Sequence, residues 1–535
     1  MNNVSLETIV SLAKRRGFVF PGSDIYGGLA GTYDYGPHGV ALRNNLKQIW
    51  WRRFVETRDD MYGVDAAILM NPKAWVASGH VGGFSDPQVE CTNCNNRQRT
   101  DHLLENDRNY WLFLKAVGEA IDSALITERG TSSKLSEALT NLKSKESLSE
   151  KAIDDGLRKA RELAGKLAGF DIMTQVATDE IVNATKYFGK YTQEYLNAFI
   201  TCPSCEAKSK WGLPRQFNMM FKTSIGATED ESSITYLRPE TAGGMFVNFK
   251  NIVDAYHPKL PFGMGQIGKA FRNEIAPREF VFRLRELEQM EVEYFVRPQE
   301  WEAAFDSWKE VMTAYANEIG LSMERFHPTE IQAEDLAHYS KRTIDFEYEY
   351  PFGRRELWGL AYRTDFDLKA HMEASGVSLE YLDEEVKKKL VPHVIEPSLG
   401  VDRTFLAVLA AAYDEDELGG EKRVVLRFNP KVAPVKAMVS PLLKNKPELV
   451  EKAREVRKAL QKIHPAIAWD DNGNIGKRYR RQDEIGTPWC VTIDFDTLGE
   501  TEELKDTVTV RNRDTGEQER MSLVEVEALL SEALV

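Results

Sequence analysis

The sequence predicts an α+β chain of several domains, and three observations carry that prediction. Residues 271–295 alternate with period two, as an antiparallel hairpin with an apolar back and a charged front would. Helical stripes lie elsewhere, the clearest being Trp301, Phe305, Trp308, Met312 and Tyr315. The texture of the chain also changes along its 535 residues, a length that suits about three to five domains.

In chain order, residues 1–104 mix glycine-rich turns with an apolar run at 40–55. The opening 20 residues carry Glu7, Lys14, Arg15 and Arg16, which is too polar for a secretory signal and reads as an amphipathic helix. Residues 105–200 are helix-forming and highly charged without a sustained heptad, so a small helical bundle or hairpin is expected there. From 201 to 418 period-two segments return between helices, and the 301–315 stripe reads as a core-facing helix. The acidic run 414–417 and the pair Gly419-Gly420 read as a linker. Residues 421–535 then alternate β runs (424–428, 435–439, 490–495) with a helix at 447–463, an α/β pattern.

Charge bounds the partners. With 69 basic and 83 acidic side chains the net charge is −14, which excludes a uniformly basic coat. Residues 422–481 nevertheless hold 16 basic and 5 acidic residues, a local +11 that leaves −25 on the remainder. Such a basic unit suits a polyanion. A solvated helix face explains Lys452, Arg454, Arg457 and Lys458 equally well, but accounts less well for Lys477, Arg478, Arg480 and Arg481 around Tyr479. No apolar stretch reaches 18 residues, so no membrane span is expected. Five cysteines are too few for a disulfide scaffold, and a cytoplasmic, reducing setting is expected.

Gly263-Met-Gly-Gln-Ile-Gly268 satisfies a dinucleotide-binding pattern and, through Lys269, nearly a phosphate-binding loop. The context excludes both. Position 270 is alanine where a hydroxyl would ligate magnesium, and strand-like alternation follows where a helix is needed. The glycines read as turn material leading into a strand.

The hairpin carries the chemistry. Arg272 and Glu274 share one face of its first half, and residues 276–280, with Pro277, form the turn. In the second half Arg283, Arg285, Leu287, Gln289, Glu291 and Glu293 share one face, with Phe282, Leu284, Met290 and Val292 on the other. Solvent exposure explains most charged fronts. Here arginines and glutamates interleave on both strands, as a ligand with anionic and cationic parts requires.

Phe271-Arg-Asn-Glu, a loop, and then the Arg283–Glu291 spacing resemble motif 2 of the class II aminoacyl-tRNA synthetases. Residues 26–45, Leu237-Arg-Pro-Glu-Thr-Ala242 and Val394-Ile-Glu-Pro-Ser-Leu-Gly-Val-Asp-Arg403 are similar to motif 1, the substrate strand and motif 3 of the dimeric, single-polypeptide glycyl-tRNA synthetases. The resemblance covers most of residues 10–100 and 200–495. It implies an antiparallel class II catalytic core flanked by helices, a helical insertion, and an anticodon-binding domain at 421–535. It also implies ATP, glycine and tRNA(Gly) as substrates, Mg²⁺ as cofactor, and a homodimer.

Residue by residue, the resemblance implies that Arg272 holds the ATP α-phosphate and the glycine carboxylate, Arg403 the γ-phosphate, and Glu274 the adenine end. Asn273, Phe282, Arg283, Leu287, Leu357 and Gly400 fall on the ATP-binding segments, and Glu356 matches an ATP and Mg²⁺ carboxylate. Glu240, Glu291, Glu396 and Ser398 match the surroundings of glycine, with Arg99 a weaker match. Two positions depart from the pattern. Leu287 replaces the adenine-stacking aromatic, and Gly243 stands where the family has glutamine, so weaker ATP binding and reduced activity are expected. A non-catalytic relative or activation of alanine or serine are the competing readings.

Cys91-x-x-Cys94 and Cys202-x-x-Cys205 have the spacing of zinc knuckles and bracket the helical insertion. Four reduced cysteines packing turns is the alternative reading. Cys490 reads as inert core. The apolar helix at 40–55 suits either a dimer interface or ordinary core.

Overall fold

The computed structural model describes residues 4–104, 192–193, 196–226, 233–333, 336–337 and 339–534. The helical bundle expected at 105–200 lies almost wholly outside these residues. They form two compact units, Met1–Val81 with Met220–Val535, and Gly82–Met219.

The first unit is built on a seven-stranded sheet: β1 (Met61–Gly63), β2 (Phe262–Phe271), β3 (Glu286–Val296), β4 (Phe326–Glu330), β5 (Arg342–Tyr350), β6 (Gly353–Thr364) and β7 (His393–Gly400). Its spatial order is β4-β5-β6-β7-β3-β2-β1, antiparallel throughout except for the β1–β2 edge. One face is covered by the helices Pro37–Trp51, Trp301–Glu318 and Val401–Ala412. The 301–315 stripe is core, as its spacing predicts: Phe305, Trp308, Met312 and Tyr315 are buried. Leu42, Leu46, Trp50 and Phe54 are buried in the same cluster, so the 40–55 helix spends its main apolar stripe on this chain's own core.

The opposite face changes character along each strand. On β3 Phe295 packs with Phe262, Met264 and the helix Ala242–Tyr256, whereas Glu293 and Glu291, two and four residues earlier, occupy the same side. The front expected to be exposed or ligand-facing is therefore enclosed, with Glu291 and Glu293 both buried.

Three sequence expectations are corrected. Gly263, Gly265 and Gly268 lie within β2, not in a turn before it. They are needed there for close approach, because a Cβ would come within 2.5 Å of Met61 at Gly263, 2.7 Å of Val55 at Gly265 and 2.2 Å of Arg238 at Gly268. The supposed linker is a two-stranded ribbon, Tyr413–Leu418 with Glu421–Leu426, turned by Gly419 and Gly420, both at positive φ. Its acidic run is organised by Arg423 and Arg427, which bind Asp414 and Asp416. The third correction concerns charge. Arg478 is buried and donates to Ser440 Oγ and the carbonyls of Pro441 and Gly473, while Arg480 and Arg481 pair with Glu421 and Asp470. Counting residues overstated the free positive surface.

Residues 437–522 form a mixed five-stranded sheet in the order Ile467–Trp469, Ala437–Pro441, Trp489–Ile493, Thr507–Asn512, Gln518–Ser522, with the first three parallel. The helices Pro447–Leu460 and Leu523–Leu534 cover its apolar core, and Cys490 is buried beside Arg511 and Asp483, outside that cluster. Among the described residues no helix is long and apolar enough to cross a membrane.

The departure at Gly243 has a packing explanation. A Cβ there would meet the buried Trp75 indole at 2.9 Å, and one at Gly244 would meet Ala66 at 2.6 Å. The space of a larger side chain is filled by Trp75. Gly243→Gln should therefore destabilise the protein by about 1–3 kcal/mol, read as a lower calorimetric transition; an unchanged transition would show that Trp75 swings aside freely.

Candidate active site

Register assembles the site. β3 pairs β7 with Glu291 opposite Ser398 and Gln289 opposite Gly400, and β6 pairs β7 with Ala361 opposite Glu396. Alternation then sends Glu291, Ser398 and Glu396 to one side. Together with Glu240, from the loop before the helix Ala242–Tyr256, they line a cleft of about 480 Å³. Arg272, Glu274, Phe282, Arg283, Leu287, Glu356, Leu357, Gly400 and Arg403 line the same cleft. Of the residues named from the sequence, Asn273 is half-buried and not in this lining. Arg99 belongs to the second unit, where its guanidinium binds Asp86.

The guanidiniums are held at the cleft. Arg272 lies just beyond the end of β2, and its Nε donates to the Pro239 carbonyl at 3.0 Å. Arg403 opens the helix Val401–Ala412, sits 4.5 Å above the Phe282 ring, and pairs with Glu356 at 3.1 Å. That contact, first among its neighbours, holds the Glu356 carboxyl below its usual range despite burial. Arg283 reaches Glu274 at 3.5 Å.

The carboxylates are set apart from one another by their surroundings. Burial opposes charge on Glu240, but His80 at 3.5 Å, Arg363 and Arg272 outweigh it and hold the carboxyl down at about 2. Glu291 accepts from Ser398 Oγ at 2.6 Å, from Thr241 Oγ1 and from Gln289 Nε2, yet burial and Glu240 push it upward. Glu396 is pushed up to about 8, by burial first and by Glu291 and Glu240, against the pull of Arg363 at 2.8 Å. Glu293, with neither carboxylate oxygen hydrogen-bonded among the described residues, is raised well above the carboxylate range by burial and Glu396. The cleft thus holds charged and neutral carboxyls side by side.

Several contributors were not found from the sequence. Arg363 is 3% exposed and binds Asp367 with two bonds, at 2.7 and 2.8 Å, as well as Glu396; its guanidinium lies 3.9 Å from the Tyr339 ring centroid. Arg363 lies on β6 and Asp367 on the helix Phe366–Ser375 that follows, so no single periodicity links the pair in the sequence. Thr241 lies inside a quoted motif, and Gln289 and Glu293 were on the predicted face without a role. His80 and Asp345 have no local pattern. Asp345 lines the cleft, and its carboxyl is raised to about 7 by burial and by Glu356 and Glu347.

In the second unit the four knuckle cysteines converge. Their sulfurs all lie within 4.8 Å of one another, Cys91 to Cys205 at 3.8 Å and Cys94 to Cys202 at 3.9 Å. None is in a disulfide.

Two families of known proteins match parts of the chain. Residues 221–412 match the tRNA synthetase class II core domain (G, H, P, S and T), and residues 436–533 match the anticodon binding domain. A relative from Clostridium acetobutylicum, named glycine–tRNA ligase, is 45% identical over 535 residues, covering 99% of each chain. Relatives of the same name from Lysinibacillus sphaericus and Thermus thermophilus are also 45% identical, over 100% and 99% of both chains. By its sheet, its paired core and C-terminal matches, and its identity to these relatives over nearly the whole length, the chain belongs to the glycine–tRNA ligase family.

Proposed function

We propose that the chain activates glycine with ATP to glycyl-adenylate and then transfers the glycyl group to the 3′-terminal adenosine of tRNA(Gly), releasing pyrophosphate and then AMP. The observation that carries this reading is the single cleft that combines two arginines, Arg272 and Arg403, with the carboxylates Glu240, Glu291 and Glu396 and the hydroxyl of Ser398. Glycine offers no side chain to read, only an ammonium and a carboxylate. Carboxylates beside its ammonium supply charge-assisted hydrogen bonds, and nearby arginines limit the repulsion among them. Selectivity then comes from leaving no room for a β-carbon, since a merely apolar sieve separates substrates by only about 1–3 kcal/mol per methylene.

In the first step a glycine carboxylate oxygen attacks the α-phosphorus in line and pyrophosphate leaves. The nucleophile is already ionised, so no general base is required. Arg272 would hold both the α-phosphate and the glycine carboxylate, and Arg403 the γ-phosphate, which confines catalysis to positioning and charge stabilisation. Glu274 would meet the adenine end beside Phe282, Arg283, Leu287, Leu357 and Gly400. Asn273, half-buried, falls on the same ATP-binding segment beside Arg272. Mg²⁺, when bound, neutralises the departing pyrophosphate. Glu356 and Asp345 fit it: both line the cleft, and a cation there would offset the burial and the neighbouring carboxylates that raise Asp345.

The same family reading extends to the domain limits 1–104, 105–200, 201–418 and 421–535, the last entered through residues 421–435, whose Leu426, Phe428, Val432 and Ala433 join the catalytic core's apolar cluster, to an anticodon-reading role for that domain, and to a homodimer. Zn²⁺ fits the cysteine cluster on geometric grounds. Four sulfurs at about 2.3 Å from a common centre stand about 3.8 Å apart in a tetrahedron, close to the two Sγ–Sγ separations found. Asn93 Nδ2 lies 3.5 Å from Cys205 Sγ, a donor suited to a thiolate. The metal would be structural, tying together chain segments about a hundred residues apart.

Three outcomes follow. Purified protein should catalyse ATP–pyrophosphate exchange with glycine and far more slowly with alanine or serine; no exchange with glycine, or a better rate with alanine, rejects the reading. Because the Glu396 carboxyl gains its charge only near pH 8, and an ammonium binds the charged form better, the glycine KM should fall as pH rises from 7 to 8.5. In Glu396→Gln that dependence should flatten. For the cysteine cluster, elemental analysis should give about one zinc per chain and much less in Cys202→Ser; below a few tenths in the unaltered protein the metal assignment fails.

A further inference from the structure

The last turn of the helix Ile475–Ile485, in the C-terminal unit, is fastened at three consecutive residues. Asp483 has a fully buried side chain and accepts from Arg511 at 2.8 and 3.0 Å and from Arg423 at 3.1 Å. Arg511 is on the C-terminal sheet itself, but Arg423 lies on the ribbon that leaves the catalytic core, 1% exposed and bound twice to Asp416 at 2.6 and 2.8 Å. Glu484 accepts from Arg15 at 3.3 Å and Arg16 at 2.5 Å, at the end of the N-terminal helix Leu6–Arg15. Ile485 joins the catalytic core's apolar cluster with Phe18 and Phe428. Gly486 then ends the helix at φ 78°, where a Cβ would lie 2.3 Å from the Phe428 ring.

Three separate parts of the catalytic body, namely the ribbon, the N-terminal helix and the apolar core, thus grip one helix end. Buried ion pairs add little net stability compared with apolar contacts, but they admit few alternative geometries. We propose that Arg423 is a positioning residue for transfer to tRNA: through Asp483 it fixes the orientation of the C-terminal unit relative to the active cleft. The proposal rests on the ligase reading above. It separates the two steps, because glycine activation needs only the cleft, whereas a tRNA held at both the cleft and the C-terminal unit requires the two at a set spacing.

The test compares the full-length protein with Arg423→Met and with Glu484→Gln, the latter on a side chain that is 20% exposed and so tolerant of an uncharged amide. Both half-reactions are measured. Glycine and ATP kinetics in pyrophosphate exchange should stay within about twofold of the parent in both variants. The KM for tRNA in aminoacylation should rise about tenfold in Arg423→Met and by a smaller factor in Glu484→Gln. An unchanged tRNA KM in every variant that folds overturns the proposal, and so does an equal loss in exchange and aminoacylation, which would mark a general loss of structure. Absence of glycine exchange in the unaltered protein removes the ligase reading itself, an outcome distinct from either.

Discussion

The register between β3 and β7 is the constraint on which the site depends. With Glu291 opposite Ser398, the hydroxyl is 2.6 Å from the carboxylate and both face the cleft. Side chains alternate with period two, so a slip of one residue would send Glu291 and Glu293 into the apolar layer under the helix Val401–Ala412 and bring Met290 and Val292 into the cleft. The cost of burying those charges without partners, and of exposing those apolar groups, is what holds the register. Chemistry and folding therefore select the same pairing.

Enclosing that many carboxyls in one place demands a counterweight, and Arg363 supplies the central one. Its guanidinium divides its bonds between Asp367 and Glu396, leaving Glu293 without a hydrogen-bonding partner among the described residues for either oxygen. The result is a graded set: Glu240 is held charged, Glu396 is pushed up to about 8, and Glu293 is raised well above the ordinary carboxylate range. A cluster with every member charged would repel itself strongly at this depth. One with every member neutral could not hold an ammonium. The arrangement lies between the two.

Most of the cleft was legible in the sequence because its parts sit on short, patterned segments. Glu291 follows from alternation on β3, Glu396 and Ser398 from their i, i+2 spacing on β7, and Arg272 and Arg403 from quoted motifs. His80, Tyr339 and Asp345 arrive only through tertiary proximity, which leaves no periodic trace. The acidic run 414–417 was misread because composition marks solvent affinity and does not reveal the arginines waiting on the facing strand. Likewise Arg478 counts as +1 in any tally yet lies inside the C-terminal unit. The glycines of β2 were ambiguous for a related reason: what they make room for, Met61, Val55 and Arg238, is remote in the chain.

The meeting of Cys91 and Cys94 with Cys202 and Cys205 has a consequence for how the gene can vary. Chain departure and return are cinched at one neck, where Leu104 and Leu196 are buried with Cys91 and Cys202, so both stumps are held independently of the length of chain between positions 104 and 196. Relatives would then be free to differ most in the size of this excursion while the neck itself stays put.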